Sequence, residues 1–245
     1  MTDSNDPGAA QANELVAANR ILAARGVVDG FGHVSVRRAD HSDRFMLSWS
    51  MAPALVTAAD ILTYDLEGRE VHGDARPSYI ERFIHSEIYR ARPDVVAVVH
   101  SHSPAVIPFS IVKGVAVRPV YHLAGFLGEV TPVYEIRNDA GDATDLLIRD
   151  SRLGAALSRC LKQHVAVLLR GHGSTVVGDN LRQAVFRAVY LEMNARIQAD
   201  ALQLGEITYL TAQEAAAAAI SNDRQMDRAW DLWLRDVEQQ FSLKM

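Results

Sequence analysis

The 245-residue chain has one cysteine, Cys160, so no internal disulfide can brace it and a cross-linked loop scaffold is excluded. Long apolar runs are missing too. Those around Ala215–Ile220 and Val95–Val99 fall far short of the ~20 residues that cross a bilayer, which argues against a membrane partner. Charge of one sign does not accumulate: 25 Lys and Arg stand against 30 Asp and Glu, a net −5. That balance lacks the electrostatic footprint of a nucleic-acid binder. The opening MTDSNDPGAA has neither the basic nor the apolar segment of a secretion signal. With the lone thiol, this predicts a cytoplasmic protein. What is present is a hydrophobic content of 49% with 22% charged residues, enough to build a full core, and nine histidines, two of them in His100-Ser101-His102.

The periodicity alternates between helix and strand. Residues 1–9 read as a flexible N-terminal arm, and 10–245 as a single domain without linker or repeat. A first helix runs from Ala10 to the stop at Gly26, and His33–Arg37 and Arg44–Ser48 form a hairpin. A capped turn at Thr57–Asp60 leads to a strand near Leu62–Asp65. A helix is expected from Tyr79 to Arg92, then a strand, Val95–His100, apolar on both faces and therefore central in a covered sheet. Arg118–Tyr121 and Val130–Tyr134 read as further strands. Asp150–Lys162 is helical, Val165–Leu169 is a second buried strand, and Arg170–Gly173 is a tight loop. A long helix then closes near Gly205, and two more start near Thr211 and Arg224.

Spacing brings chemistry to this framework. On a strand, residues i and i+2 project from one face ~7 Å apart, so His100 and His102 can converge on one cation, although a histidine pair at a strand end facing water has the same spacing. From Glu81 down the helix is roughly 15 Å and back up the strand roughly 16 Å, so Glu81 should meet His100. His172 follows the other buried strand, between Gly171 and Gly173, which let the backbone turn sharply toward a neighbouring strand end. Three imidazoles and one carboxylate suit a divalent transition ion, Zn²⁺ or Mn²⁺, in an open, catalytic style of site.

These residues carry a resemblance. Gly32-His33-Val34-Ser35-Val36-Arg37, Pro77-Ser78 with Glu81-Arg82-Phe83, Arg92-Pro93-Asp94 with Val98–Ser103, and Gly171-His172-Gly173 before a long helix together resemble the class II aldolase/adducin family, in order from about residue 13 to 205. The resemblance implies a three-layer α/β/α fold around a largely antiparallel sheet, a homotetramer with sites between neighbouring subunits, and metal held by His100, His102 and His172. Glu81 is then a ligand or the acid/base. Sugar-phosphate members have Gly-Asn where this chain has Gly32-His33. They carry a Thr-Gly or Ser-Gly phosphate loop where it has Ser48-Trp49-Ser50-Met51-Ala52-Pro53, and a serine pair where it has Tyr79-Ile80. Bulky side chains there do not supply the free amides and short hydroxyls that a phosphate needs. The chain is instead similar to the branch that decarboxylates hydroxylated aromatic dicarboxylates, pyridine or phthalate acids, in which the metal is often Mn²⁺.

Retro-aldol cleavage and decarboxylation beside a carbonyl both free an electron pair that a divalent cation stabilises. The expected function is therefore metal-dependent decarboxylation of a hydroxylated aromatic dicarboxylate, a small-molecule aromatic carboxylate. The alternatives are a metal-dependent aldolase on an unphosphorylated hydroxy-oxo acid, or an adducin-like scaffold, which would have no use for the four ligand-type residues. His33 is the first candidate to bind the carboxylate or donate the proton, against a strand-edge histidine without chemistry. Arg82 is a candidate carboxylate clamp, or a surface ion-pair partner. Ser50, in the substituted phosphate loop, is a candidate substrate-binding residue, and Trp49 and Phe126 are candidate walls for a flat ring, or core. His85, one turn beyond Glu81, is positioned to hydrogen-bond it. His122 could enter a site from a neighbouring subunit. Tyr190 and Arg187 belong to a packing helix, and Cys160 reads as a small core residue.

Overall fold

The computed structural model describes residues 7–242. In chain order, α1 is Pro7–Ala24, β1 His33–Arg37, β2 Arg44–Ser48, β3 Ile61–Asp65, α2 Arg82–Ala91, β4 Ala97–Ser101, α3 Ile107–Ile111, β5 Val133–Tyr134 and α4 Arg137–Ala140. Then come α5 Ser151–Leu161, β6 Ala166–Leu169, β7 Gly173–Gly178, α6 Leu181–Leu204, α7 Ala212–Asp223 and α8 Met226–Ser242. The seven strands form one sheet in the order β3-β2-β1-β4-β7-β6-β5. Every pairing is antiparallel except β5 with β6.

Strand alternation sorts the side chains onto two faces. Val34, Val36, Ala97, Val99 and Val176 pack with α1, α6 and α8, while Phe45, Val98, Val167 and Val177 pack with α2 and α5. Helices thus cover both faces of the largely antiparallel sheet, the α/β/α arrangement expected. Four-residue spacing on α2 places Ile84 and Ile88 in the second layer, and Leu153, Leu157 and Leu161 do the same for α5. Gly154 lets these two helices touch, because a Cβ there would collide with the Phe83 carbonyl.

Several elements depart from the sequence reading. Helix α1 starts at Pro7, inside the expected arm, and residues 1–6 lie outside the described residues. Segment 118–121 is extended but is not a strand. Side chains of α6 take part of its backbone bonding: Asn194 bonds Arg118 O and Val120 N, and Gln198 bonds Ala116 O and Arg118 N, while Pro119 O accepts from Leu210 N. Only Val133–Tyr134 of the 130–134 stretch pairs. Strand β7 was not anticipated, since glycine at both ends of Gly173–Gly178 imitates a loop. Helix α2 begins three residues late, with Glu81 as its N-cap residue.

No helix among the described residues is long and apolar enough to cross a membrane.

Candidate metal centre

The antiparallel pairing of β4 with β7 sets His100 opposite Thr175, and the turn from β6 to β7 carries His172 to the same sheet end. His102 lies just past β4, two residues from His100 and on its face. Glu81 arrives at the start of α2. Their ligand atoms all lie within 4.8 Å of one another. His100 Nε2 is 3.3 Å from His102 Nε2, which is 2.9 Å from His172 Nε2. Glu81 Oε2 stands 3.5 Å from His100 Nε2 and 3.4 Å from His172 Nε2. Two ligand atoms about 2.1 Å from a tetrahedral ion sit roughly 3.4 Å apart. Three of these four separations match that edge, and the His102–His172 one is shorter.

Outer contacts aim these atoms. His172 Nδ1 lies 3.0 Å from the carbonyl of Leu146, an acceptor only, so its proton sits on Nδ1 and Nε2 keeps its lone pair. Thr175 Oγ1 lies 3.4 Å from His100 Nδ1. The other carboxylate oxygen of Glu81 accepts from Ile148 N at 2.9 Å. One short segment, 146–148, thus orients two of the four candidate donors. Its backbone is strained to do so: Leu146 has φ +70°, a conformation costly for a leucine. Sequence reasoning missed Leu146 and Ile148, because they act through backbone atoms that every residue type carries.

Electrostatics in the cluster favour a cation. Burial raises the Glu81 carboxyl, but the neighbouring His100 and His172 rings outweigh that and hold it well below the usual carboxylate range. Burial opposes protonation of His172, and the Glu81 carboxylate outweighs it, so this ring is raised. His102 is pushed down to about 4 by burial and by the two adjacent imidazoles. The result is an ionised carboxylate beside rings that cannot all be protonated. A divalent ion satisfies them together.

A cavity of about 360 Å³ opens over the centre. Glu81 and His102 reach its wall, as do His33 and Ser50, and the rest is largely apolar, with Phe31, Met51, Ile80 and Tyr79. Tyr79 is fixed by donating to the Met51 carbonyl and lies against the His33 ring at 4.5 Å. No Arg or Lys lines this cavity among the described residues. The expected clamp needs correcting: Arg82 points elsewhere, donating to the carbonyls of Gly68 (2.6 Å) and Tyr79 (2.9 Å) over the Phe83 ring. Trp49 is also outside the wall, its indole held by Asp60 at 2.8 Å and its ring packed on the α2 side of the sheet. Phe126 packs on the opposite core near Phe186.

His85 does not bond Glu81 as expected. Its Nε2 meets His33 Nδ1 at 2.6 Å and its Nδ1 meets Ser35 Oγ at 2.6 Å. Burial lowers both rings, His85 to about 3 and His33 well below its ordinary value, so both are neutral. His122 is exposed on a turn whose carbonyl accepts from Asn222. Arg187 donates to the Val177 carbonyl, and Tyr190 packs on Phe186. The half-buried Cys160 thiol is pushed up by burial, as befits a packing residue.

The chain is 36% identical over 257 residues to "Decarboxylase tropJ" of Talaromyces stipitatus, covering 96% of each chain. It is 32% identical over 212 residues to a 3,4-dihydroxyphthalate decarboxylase of Arthrobacter keyseri, covering 80% of this chain and 81% of the relative. Its fold matches that of an L-fuculose 1-phosphate aldolase from Glaciozyma antarctica with a TM-score of 0.78 at 24% identity, over 98% of this chain and 93% of the other. Residues 13–199 match the model described as Class II Aldolase and Adducin N-terminal domain, so the chain belongs to the class II aldolase/adducin family, as one of its lyases.

Proposed function

We propose that this protein is a metal-dependent decarboxylase of a hydroxylated aromatic dicarboxylate, of the hydroxypyridine or dihydroxyphthalate kind, in aromatic catabolism. The observation that carries the reading is the juxtaposition of a four-donor centre with a mainly apolar cavity that has His33 in its wall. Similarity to a relative named for dihydroxyphthalate decarboxylation points the same way. His100, His102, His172 and Glu81 hold the ion, Mn²⁺ or Zn²⁺. When bound, that ion supplies a Lewis acid for the oxygen beside the breaking bond.

The chain's own residues supply the rest. Phe31, Ile80 and Tyr79 offer a flat ring an apolar slot. Where phosphate-binding relatives need amides and short hydroxyls, these side chains leave no such cradle. Ser50 and the His33 imidazole are the polar groups positioned to orient a carboxylate or hydroxyl. His33 moves the proton that the ring carbon must gain when carbon dioxide leaves, and Glu81, whose Oε2 faces two ligand rings, stays ionised as ligand. Exposed Phe31 (69%) and Ile80 (48%) at the cavity suit cover by a second subunit, and a homotetramer is the proposed assembly.

The test is incubation of Mn²⁺- or Zn²⁺-loaded protein with hydroxylated phthalic and pyridine dicarboxylic acids, with released CO₂ measured. Release that stops on chelation is expected. Aldehyde from hydroxy-oxo acids without CO₂ from any aromatic acid would replace this reading with an aldolase. Protein that takes up no stoichiometric metal would leave the scaffold alternative.

A further inference from the structure

Building on the role proposed for His33, we infer that His85, backed by Ser35 and Tyr89, is a positioning residue that holds His33 in one tautomer, proton on Nδ1, leaving Nε2 for the cavity. The inference starts from two periods that match. On β1, His33, Ser35 and Arg37 share one face, and on α2, residues 85 and 89 are one turn apart on the face that meets it. The links are short: His33 Nδ1 to His85 Nε2 is 2.6 Å, His85 Nδ1 to Ser35 Oγ 2.6 Å, and Ser35 Oγ to Tyr89 Oη 2.7 Å. Tyr89 Oη then reaches the Val96 carbonyl at 3.3 Å.

That last contact, to a carbonyl that also accepts from Arg37 N at 2.7 Å, favours one direction for the chain. A carbonyl only accepts, so Tyr89 donates to Val96, Ser35 to Tyr89, His85 Nδ1–H to Ser35, and His33 Nδ1–H to His85 Nε2. In the opposite order Tyr89 gives its proton to Ser35, and two acceptors face each other at Val96. His85 and Tyr89 are fully buried and Ser35 likewise, so no water competes for these bonds. Tyr79 also packs against the His33 ring, centroid to centroid at 4.5 Å. With Nδ1 occupied, Nε2 is the nitrogen left for a cavity occupant. An unprotonated Nε2 accepts a proton from a hydroxyl or carboxyl there, and afterwards has one to give.

The test uses Zn²⁺-loaded protein labelled with ¹⁵N-histidine, the His33 signals being those lost in His33→Ala. Wild type is expected to show His33 with its proton on Nδ1, and His85→Phe to show a mixture of tautomers. With bound metal unchanged, His85→Phe should lower kcat roughly ten- to hundredfold with KM nearly constant, the size usual for residues that orient a working group. His85→Gln, whose amide can still reach His33, should recover part of the loss. In a His33→Ala background, His85→Phe should cost nothing more. Ser35→Ala cuts the chain one link further on and carries the same expectations at smaller size, should His85→Phe not fold. Proton on Nε2 in wild type, unchanged kcat in both variants, equal loss in both backgrounds, or loss of metal with activity would each overturn the inference. If wild type releases no CO₂ from any aromatic acid, the functional reading fails, and the nitrogen spectra still decide the tautomer.

Discussion

The roles proposed for single residues are distinct, and substitution should separate them. His102→Ala removes one of three nitrogens from the donor set, so metal and turnover should vanish together in metal analysis and a CO₂ assay. His33→Ala leaves all four donors in place. Bound metal should remain while kcat falls roughly 10²-fold or more, the range for a lost acid/base; unchanged turnover would remove His33 from the chemistry. The same histidines govern acid stability of the metal-free protein. His85 and His102 sit at about 3 and 4 against an ordinary 6.5, and His33 is also lowered, so the unfolded chain binds more protons than the folded one in that interval. Stability is full above 6.5 and should fall as pH drops toward 4. Glu81, lowered, adds to the loss below 4.5, while the raised His172 opposes it in part. Thermal melts in chelator from pH 7.5 to 4.5 check the direction, and a flat profile would contradict it. His85 also shows how far spacing carries: one turn from Glu81 is legible, but which neighbour the ring bonds depends on what β1 places beneath it.

At the scale of elements, the centre depends on how closely β4 and β7 approach. A Cβ on Gly173 would collide with the Ser101 carbonyl, between two ligands of the centre. Gly173→Ala should therefore cost about 3 kcal/mol or more in a denaturant melt and weaken metal binding, because the strands must part and carry His102 and His172 with them. A neutral result would mean that the turn yields without disturbing the pair. The strands with continuous apolar character, β4 and β6, were readable from sequence, since burial on both faces demands it. Strand β7 was not readable, because its glycines serve close approach and look like loop signals. The extended stretch at 118–121 misled for the opposite reason. Asn194 and Gln198 of α6, with the backbone of Leu210, take the hydrogen bonds that a partner strand would have taken.

Across the whole molecule, the four donors come from the start of α2, the end of β4 and the turn between β6 and β7, so an ion held by them would tie together parts of the chain far apart in sequence. Ligation should stabilise the folded state by about 4 kcal/mol at a free ion concentration a thousandfold above Kd, which for a chain of this size is a rise in Tm of roughly 10 °C. Adding Mn²⁺ or Zn²⁺ should raise the melting temperature of wild type and leave that of His172→Ala nearly unchanged; equal shifts would place the ion elsewhere. By itself, the sequence determined the alternation of helices and strands, the His100 and His102 pair and the reach of Glu81 toward it, because these follow from local periods and the lengths of two adjoining elements. Tertiary structure alone decided that Arg82 and Trp49 turn away from the cavity, that Leu146 and Ile148 aim two ligands, and that His85 serves His33 rather than Glu81. Those outcomes depend on sheet register and on backbone atoms common to all residues, and neither leaves a mark in the order of side chains.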